Sequence, residues 1–315
     1  AAIWKKDYPS SSDERESAVL ADLMAARRPG EETKRPSVET LLHDILPPSY
    51  VVHTHPALVN GLTCSVRGKE AMEELFGASA LWIPSTNPGY VLSAAVKEAM
   101  DAHRLRTGAA PELIFLQNHG IFVGADSAEG IDAAYGKVMG TLNARIGRRP
   151  DFSGAVSAYG PSAALAAELG RRAAAGNDGA AVAFRRDAEL ARLTADREAF
   201  APVASAYSPD HIVYAGSESL FLEEAADLER DWRIFLDRTG RKPKIVALKG
   251  VGIFGVGNGA KAAALAVELF VDAAKVGCYT ESFGGRRFMT ADQIDFINNW
   301  EVERYRSKIS TGDSK

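Results

Sequence analysis

The chain has 315 residues, 46% of them hydrophobic and 8% aromatic, with a net charge of −4 and a pI near 5.9. That length and apolar content suit two domains or one large one, and the mild acidity makes no electrostatic case for a nucleic-acid partner. No apolar run approaches the roughly 18 residues a spanning helix needs, so no membrane partner is expected.

Cys64 and Cys278 stand far apart without C-x-x-C spacing, which points to reduced thiols and a cytoplasmic setting. The opening Ala1–Tyr8 has no apolar signal region and no initiator Met, and is read as leaving residues upstream. Residues 12–27 predict a helix with Ser11 or Ser12 as cap and Val19, Leu20, Leu23 and Met24 on one face. A second helix is predicted from Ser37, entered after Pro36 and stopped by Pro47-Pro48. On it Glu39 and His43 are four apart and share a face. Glu39 can then face whatever the next element carries, although an acid in a first turn is also simply favourable with the helix dipole.

The next element is Tyr50-Val51-Val52-His53-Thr54-His55, an apolar strand ending in two histidines at i and i+2. Alternation puts both imidazoles on the same face. Helices follow at 57–64 and around 69–76, a short buried strand at 80–84, a turn-rich loop at 85–90, and a helix capped by Ser93 and running to about Arg104, with His103 as a surface residue. Residues 112–117 form a further strand, and His119 lies where it stops at Gly120. Asp126 and Glu129 supply the cap of a helix to about Ile146. His53, His55 and His119 together would make a three-nitrogen site with an open fourth position, a catalytic zinc pattern. The plainer alternative is three ordinary polar residues, but the chain has only six histidines and three of them close strands in one half.

Arg148-Arg149-Pro150 and the Ser/Gly-rich 153–161 read as a boundary, dividing the chain into domains 1–150 and 151–315. Beyond it the pattern predicts helices at 162–175, 190–196, 221–238, 260–274 and 291–305, strands at 211–214 and 244–248, and a turn at Asn177-Asp178-Gly179. The second half echoes the first. Residues 111–122 align with 243–254, and residues 47–55 align with 208–216. In this register His53 meets Tyr214, His55 meets Gly216 and His119 meets Val251, so the second copy reads as a degenerate structural or interface domain. Gly250–Gly255 matches G-x-G-x-x-G, but no βαβ array surrounds it and no acid stands at the spacing a ribose ligand needs.

Residues 35–146 resemble the class II aldolase/adducin amino-terminal domain, the fold of fuculose- and rhamnulose-phosphate aldolases. The likeness rests on Ser37-Val38-Glu39-Thr40-Leu41-Leu42-His43, His53-Thr54-His55 and Asn118-His119-Gly120. Residues 206–290 also look like the middle part of bifunctional rhamnulose-1-phosphate aldolase/alcohol dehydrogenase proteins. The resemblance implies an α/β fold: a class II aldolase-like α/β/α layered sheet, then a second, degenerate α/β domain. It implies His53, His55 and His119 as ligands of Zn2+ or another divalent metal, and Glu39 as the acid/base. Ser37, Asn118 and Tyr90 are the implied substrate-binding positions, Ser37 at a phosphate contact. The family's upstream Gly-Asn-x-Ser segment and Ser-Gly turn are not found here, which puts phosphate holding in doubt. The implied activity is a zinc-dependent aldehyde-lyase cleaving a ketose, a ketose 1-phosphate foremost, through a metal-stabilised enediolate. An epimerase or decarboxylase using the same chemistry, or a non-catalytic adducin-like interaction module, are the alternatives. The implied partner is a small sugar or sugar phosphate, and the implied assembly a homo-oligomer.

Overall fold

A computed structural model of the chain describes residues 3–158, 160–174 and 179–300. In chain order its elements are α1 (Ser12–Ala25), α2 (Thr40–Ile45), β1 (Tyr50–Thr54), α3 (Ala57–Thr63), α4 (Gly68–Phe76), β2 (Ala80–Ile83), α5 (Tyr90–Thr107), β3 (Leu113–Leu116), β4 (Gly120–Ala125) and α6 (Ala128–Arg145). There follow α7 (Ala163–Ala174), β5 (Ala181–Arg185), α8 (Ala188–Leu193), α9 (Arg197–Phe200), α10 (Pro209–Ala215), β6 (Leu220–Leu222), α11 (Leu228–Thr239), β7 (Ile245–Leu248), β8 (Gly252–Gly257), α12 (Ala260–Thr280) and α13 (Ala291–Asn299). Packing groups them into two compact units. One comprises the residues up to Thr54 with Met72–Val138, the other His55–Ala71 with the residues from Met139 onward.

The first unit holds a four-stranded sheet in the order β1-β4-β3-β2. The β1/β4 and β3/β4 pairs are antiparallel, and β2/β3 is parallel, joined by the crossover helix α5. Strands β3 and β4 are apolar and almost wholly buried, as central strands covered on both faces must be. Leu42 of α2, Leu92 and Val96 of α5, and Ile83, Ile114 and Phe122 of the sheet form one core. The predicted strand end at Gly120 is corrected: Gly120 opens β4, and the turn lies before it, where Asn118 takes a left-handed φ of 57°. The predicted Ser93 cap is also corrected. Helix α5 starts four residues earlier, with Gly89 at the cap at φ 101°, and the buried Ser93 hydroxyl donates back to the Gly89 carbonyl. His103 is buried, not a surface residue. With Val96 and Met100 it continues the inward stripe of α5 at helical spacing, and burial, helped by the charge of Arg106, pushes its pKa down.

The second unit repeats the plan, with a sheet in the order β5-β8-β7-β6 and the same sense at every pairing. Helix α12 packs along β8, where Gly255 and Gly257 are required: a Cβ on Gly255 would lie 2.3 Å from the Ala263 carbonyl oxygen. Residues 211–214 are not a strand but part of α10. Ser208 at the cap position, Pro209 at the first helical position and Asp210 in the first turn are helix-start signals that outweigh the β-branched Ile212-Val213. Strands β5 and β6 fill stretches where a loop and the start of a helix were predicted, and α12 runs on to Thr280. Of the predicted tail helix, 301–305 lie outside the described residues, as do Ala175, Asn177 and Asp178.

Aligning the two sheets by register corrects the repeat. Leu116 pairs with Gly120 as Leu248 pairs with Gly252, so Val251 does occupy the position of His119, and Gly250 (φ 68°) that of Asn118. His53 pairs with Phe122 as Phe184 pairs with Phe254. The counterparts of His53 and His55 are therefore Phe184 and Arg186, not Tyr214 and Gly216.

Candidate metal centre

Strand β1 delivers His53, and its antiparallel pairing with β4 orients the ring. The His53 Nδ1 lies 2.9 Å from the Ile121 carbonyl oxygen, and the imidazole stacks on Phe122 at 4.0 Å between ring centres. A carbonyl can only accept, so Nδ1 carries a proton, and in the neutral ring Nε2 then holds the lone pair. Thr54, pointing to the other face, is held by Tyr135 of α6 through a hydroxyl–hydroxyl bond of 2.6 Å. One residue past the strand, the His55 Nδ1 meets the Asp210 carboxylate at 2.6 Å.

His119 is positioned by the β3–β4 turn. Its N–H donates to the Leu116 carbonyl at 3.1 Å, and the left-handed Asn118 turns the chain so that its ring lies edge-on to His53 at 5.1 Å. Glu39 comes from the turn that precedes α2, not from within that helix. Its N–H bonds the Ser37 hydroxyl at 3.2 Å, and the Thr40 N–H bonds the Ser37 carbonyl at 3.1 Å. The Glu39 Oε1 then lies 3.4 Å from the His53 Nε2 and 3.6 Å from the His119 Nε2. Burial alone would raise the Glu39 pKa, but its contacts with His119 and His53 outweigh burial and hold the carboxyl well below the usual range.

One donor atom each from Glu39, His53, His55 and His119 lies within 4.8 Å of all the others. Three imidazole nitrogens and a carboxylate oxygen suit zinc and similar divalent ions. The fit can be tested on distance. Ligands held about 2.0 Å from a tetrahedral ion are roughly 3.3 Å from one another, close to the separations between Glu39 and its two histidines. Those separations are also long for direct hydrogen bonds, as expected of groups that face a common centre. Among the described residues this is the one cluster of the kind.

The match to a family follows the same residues. Residues 7–137 match the Class II Aldolase and Adducin N-terminal domain. Over this stretch the chain is therefore similar to the class II aldolase/adducin family. Over 127 residues it is 31% identical to the "Uncharacterized oxidoreductase YuxG" of Bacillus subtilis (strain 168), a stretch that is 38% of this chain and 17% of that protein. Two solved structures are also similar to part of this chain. One is the N-terminal class II aldolase domain of a conserved protein from Thermoplasma acidophilum (22% identity, TM-score 0.36, 45% of this chain and 60% of that one). The other is an aldolase II superfamily protein from Pseudomonas syringae (16%, TM-score 0.30, 47% and 61%). The chain thus spans less than two thirds of each of these proteins.

Within the stretch that matches, four of the singled-out side chains converge. The other three lie as follows. Ser37 is exposed and shapes the turn that carries Glu39. Asn118 is buried beside His119. Tyr90 packs on Trp4 and Tyr8, with its N–H on the Glu16 carboxylate. Sequence reasoning missed Tyr135 and Asp210, the partners of Thr54 and His55. Asp210 is 155 positions away from its histidine and no local pattern marks it.

Proposed function

We propose that the chain is a zinc-dependent aldehyde-lyase that cleaves a ketose, with a ketose 1-phosphate as the first substrate to test. The observation that carries this reading is the convergence of the Glu39, His53, His55 and His119 donors. His53, His55 and His119 would hold the ion, which when bound supplies a Lewis acid for the carbonyl and hydroxyl oxygens of the substrate. Glu39 does the proton work. Its depressed pKa keeps it ionised at neutral pH, in the form that accepts a proton. In the cleavage direction the substrate hydroxyl next to the scissile bond gives its proton to the Glu39 carboxylate. The carbon–carbon bond breaks, the aldehyde leaves, and the electron pair stays on the ketone fragment, which Glu39 then protonates. Ser37 and Asn118 are proposed to contact the substrate. The half from residue 151 is proposed as a non-catalytic scaffold of a cytoplasmic homo-oligomer.

Metal analysis and turnover test this together. The purified protein should carry about one zinc or similar divalent ion per chain, and His53→Ala or His119→Ala should abolish it, since two remaining ligands rarely suffice. Glu39→Gln should keep the metal and release aldehyde from ketose 1-phosphates roughly 100-fold more slowly or worse. Full occupancy in both histidine variants overturns the site. A wild-type rate in Glu39→Gln removes Glu39 from the reaction. Failure of the native protein to cleave any ketose or ketose phosphate overturns the lyase reading.

A further inference from the structure

Among the ring nitrogens of the cluster, the His55 Nδ1 is bonded to a side chain from a distant part of the sequence: the Asp210 Oδ2, at 2.6 Å. Both residues belong to the second compact unit. We propose that Asp210 is the positioning carboxylate of His55, fixing its ring and tautomer so that Nε2 is presented to a divalent ion. The proposal rests on the metal reading above.

An ionised carboxylate only accepts, so a proton lies on the His55 Nδ1 and, in the neutral ring that a metal requires, the lone pair lies on Nε2. His53 is fixed the same way by a different acceptor, the Ile121 carbonyl. The two histidines of the H-x-H pair thus share a tautomer although their partners come from unrelated places. A charged acceptor on the far nitrogen also raises the basicity of the ligating one, which a neutral carbonyl does less well. Asp210 is itself held in the first turn of α10, where the helix N-terminus favours a negative charge.

The neighbouring histidine supplies the contrast. His211 pairs with Asp272 through Nε2 at 3.1 Å and faces the Ser208 hydroxyl through Nδ1 at 3.2 Å. Both of its nitrogens are used, so that aspartate can only support structure. His55, by contrast, has its Nδ1 on Asp210 and is itself a member of the donor cluster.

The test is zinc affinity of the metal-free full chain, measured by competition with a chromophoric chelator. Asp210→Ala should weaken zinc binding by about 10- to 100-fold, the scale for losing an outer partner of a metal ligand. Asp210→Glu should recover part of the loss. Asp272→Asn should leave affinity within about twofold of the native protein. Circular dichroism of each apo variant reports folding, and if Asp210→Ala does not fold, the comparison of Asp210→Glu and Asp210→Asn decides: a tighter Glu variant supports the proposal and equal affinities overturn it. Native affinity in Asp210→Ala, or an equal loss in Asp272→Asn, overturns the proposal while leaving the metal site intact. A native protein that binds no zinc overturns the metal reading and this proposal with it.

Discussion

At the scale of single residues, Lys244 shows what burial does to a charge. Its ammonium donates to the Val213 carbonyl, and burial, assisted by the nearby charge of Arg241, pushes its pKa down to about 8. A lysine in the unfolded chain titrates near 10.4, so between the two values the unfolded state binds more protons than the native one. Stability therefore rises with pH across that window and is lower below it. Urea midpoints taken from pH 7.5 to 10 should climb in the native protein, and Lys244→Met should flatten the climb; an unchanged slope would clear Lys244 of the effect. The residues of the candidate site were legible in the sequence to different degrees. His53 and His55 announce themselves because strand alternation is a two-residue pattern, and His119 because it sits in a strand-ending turn. Asp210 could not be found that way, since a carboxylate that works across 155 positions leaves no periodicity. His103 was misjudged because one polar residue on an amphipathic helix says nothing of its own environment until the stripe through Val96 and Met100 is drawn.

At the scale of elements, helix α3 shows how the chain leaving His55 is secured. It packs against α12 so closely that a Cβ on Gly61 would lie 2.4 Å from the Tyr279 Cβ. Backbone-close packing of this kind leaves no flexible side chain to yield. Gly61→Ala should cost about 1–3 kcal/mol through overpacking, although alanine is the better helix former by roughly 1 kcal/mol. Chemical denaturation measures this directly, and a stabilised variant would show that α3 can shift. Because α3 begins two residues after His55, the same variant should also weaken zinc. The long helices were legible because their apolar stripes run for several turns. Strands β4, β5 and β6 were not: each is three to six residues, and Gly120 or Gly252 at a strand start looks like a stop. Strand or helix is undecidable for so short an apolar run without its caps, and at α10 the caps, Ser208 and Pro209, were the better evidence.

At the scale of the whole molecule, the repeat explains both the glycine-rich motif and the fate of the second half. Residues 250–255 have the dinucleotide fingerprint in form, yet that fingerprint works by leading a strand into a helix N-terminus. Here the turn leads from β7 into the antiparallel strand β8, so the same glycines belong to a hairpin. Gly250 serves the left-handed turn position that Asn118 fills in the first half, and Gly252, at φ 145°, lets the Arg185 carbonyl approach. The positions of the three histidines hold Phe184, Arg186 and Val251. Arg186, standing where His55 stands, spends its guanidinium on the Gly250 and Val251 carbonyls at 2.7 Å each, tying down the very turn that in the first half carries His119. A cation thus closes this turn from within, and none of the three side chains offers an imidazole to a metal. Zinc titration of the native chain should accordingly saturate at about one ion and not two. NAD and NADP, titrated to millimolar concentration against intrinsic tryptophan fluorescence, should give no saturable change. Saturable binding in the micromolar range would mean that the hairpin does serve a nucleotide, and a second zinc retained by His53→Ala would mean that the second half keeps a site of its own.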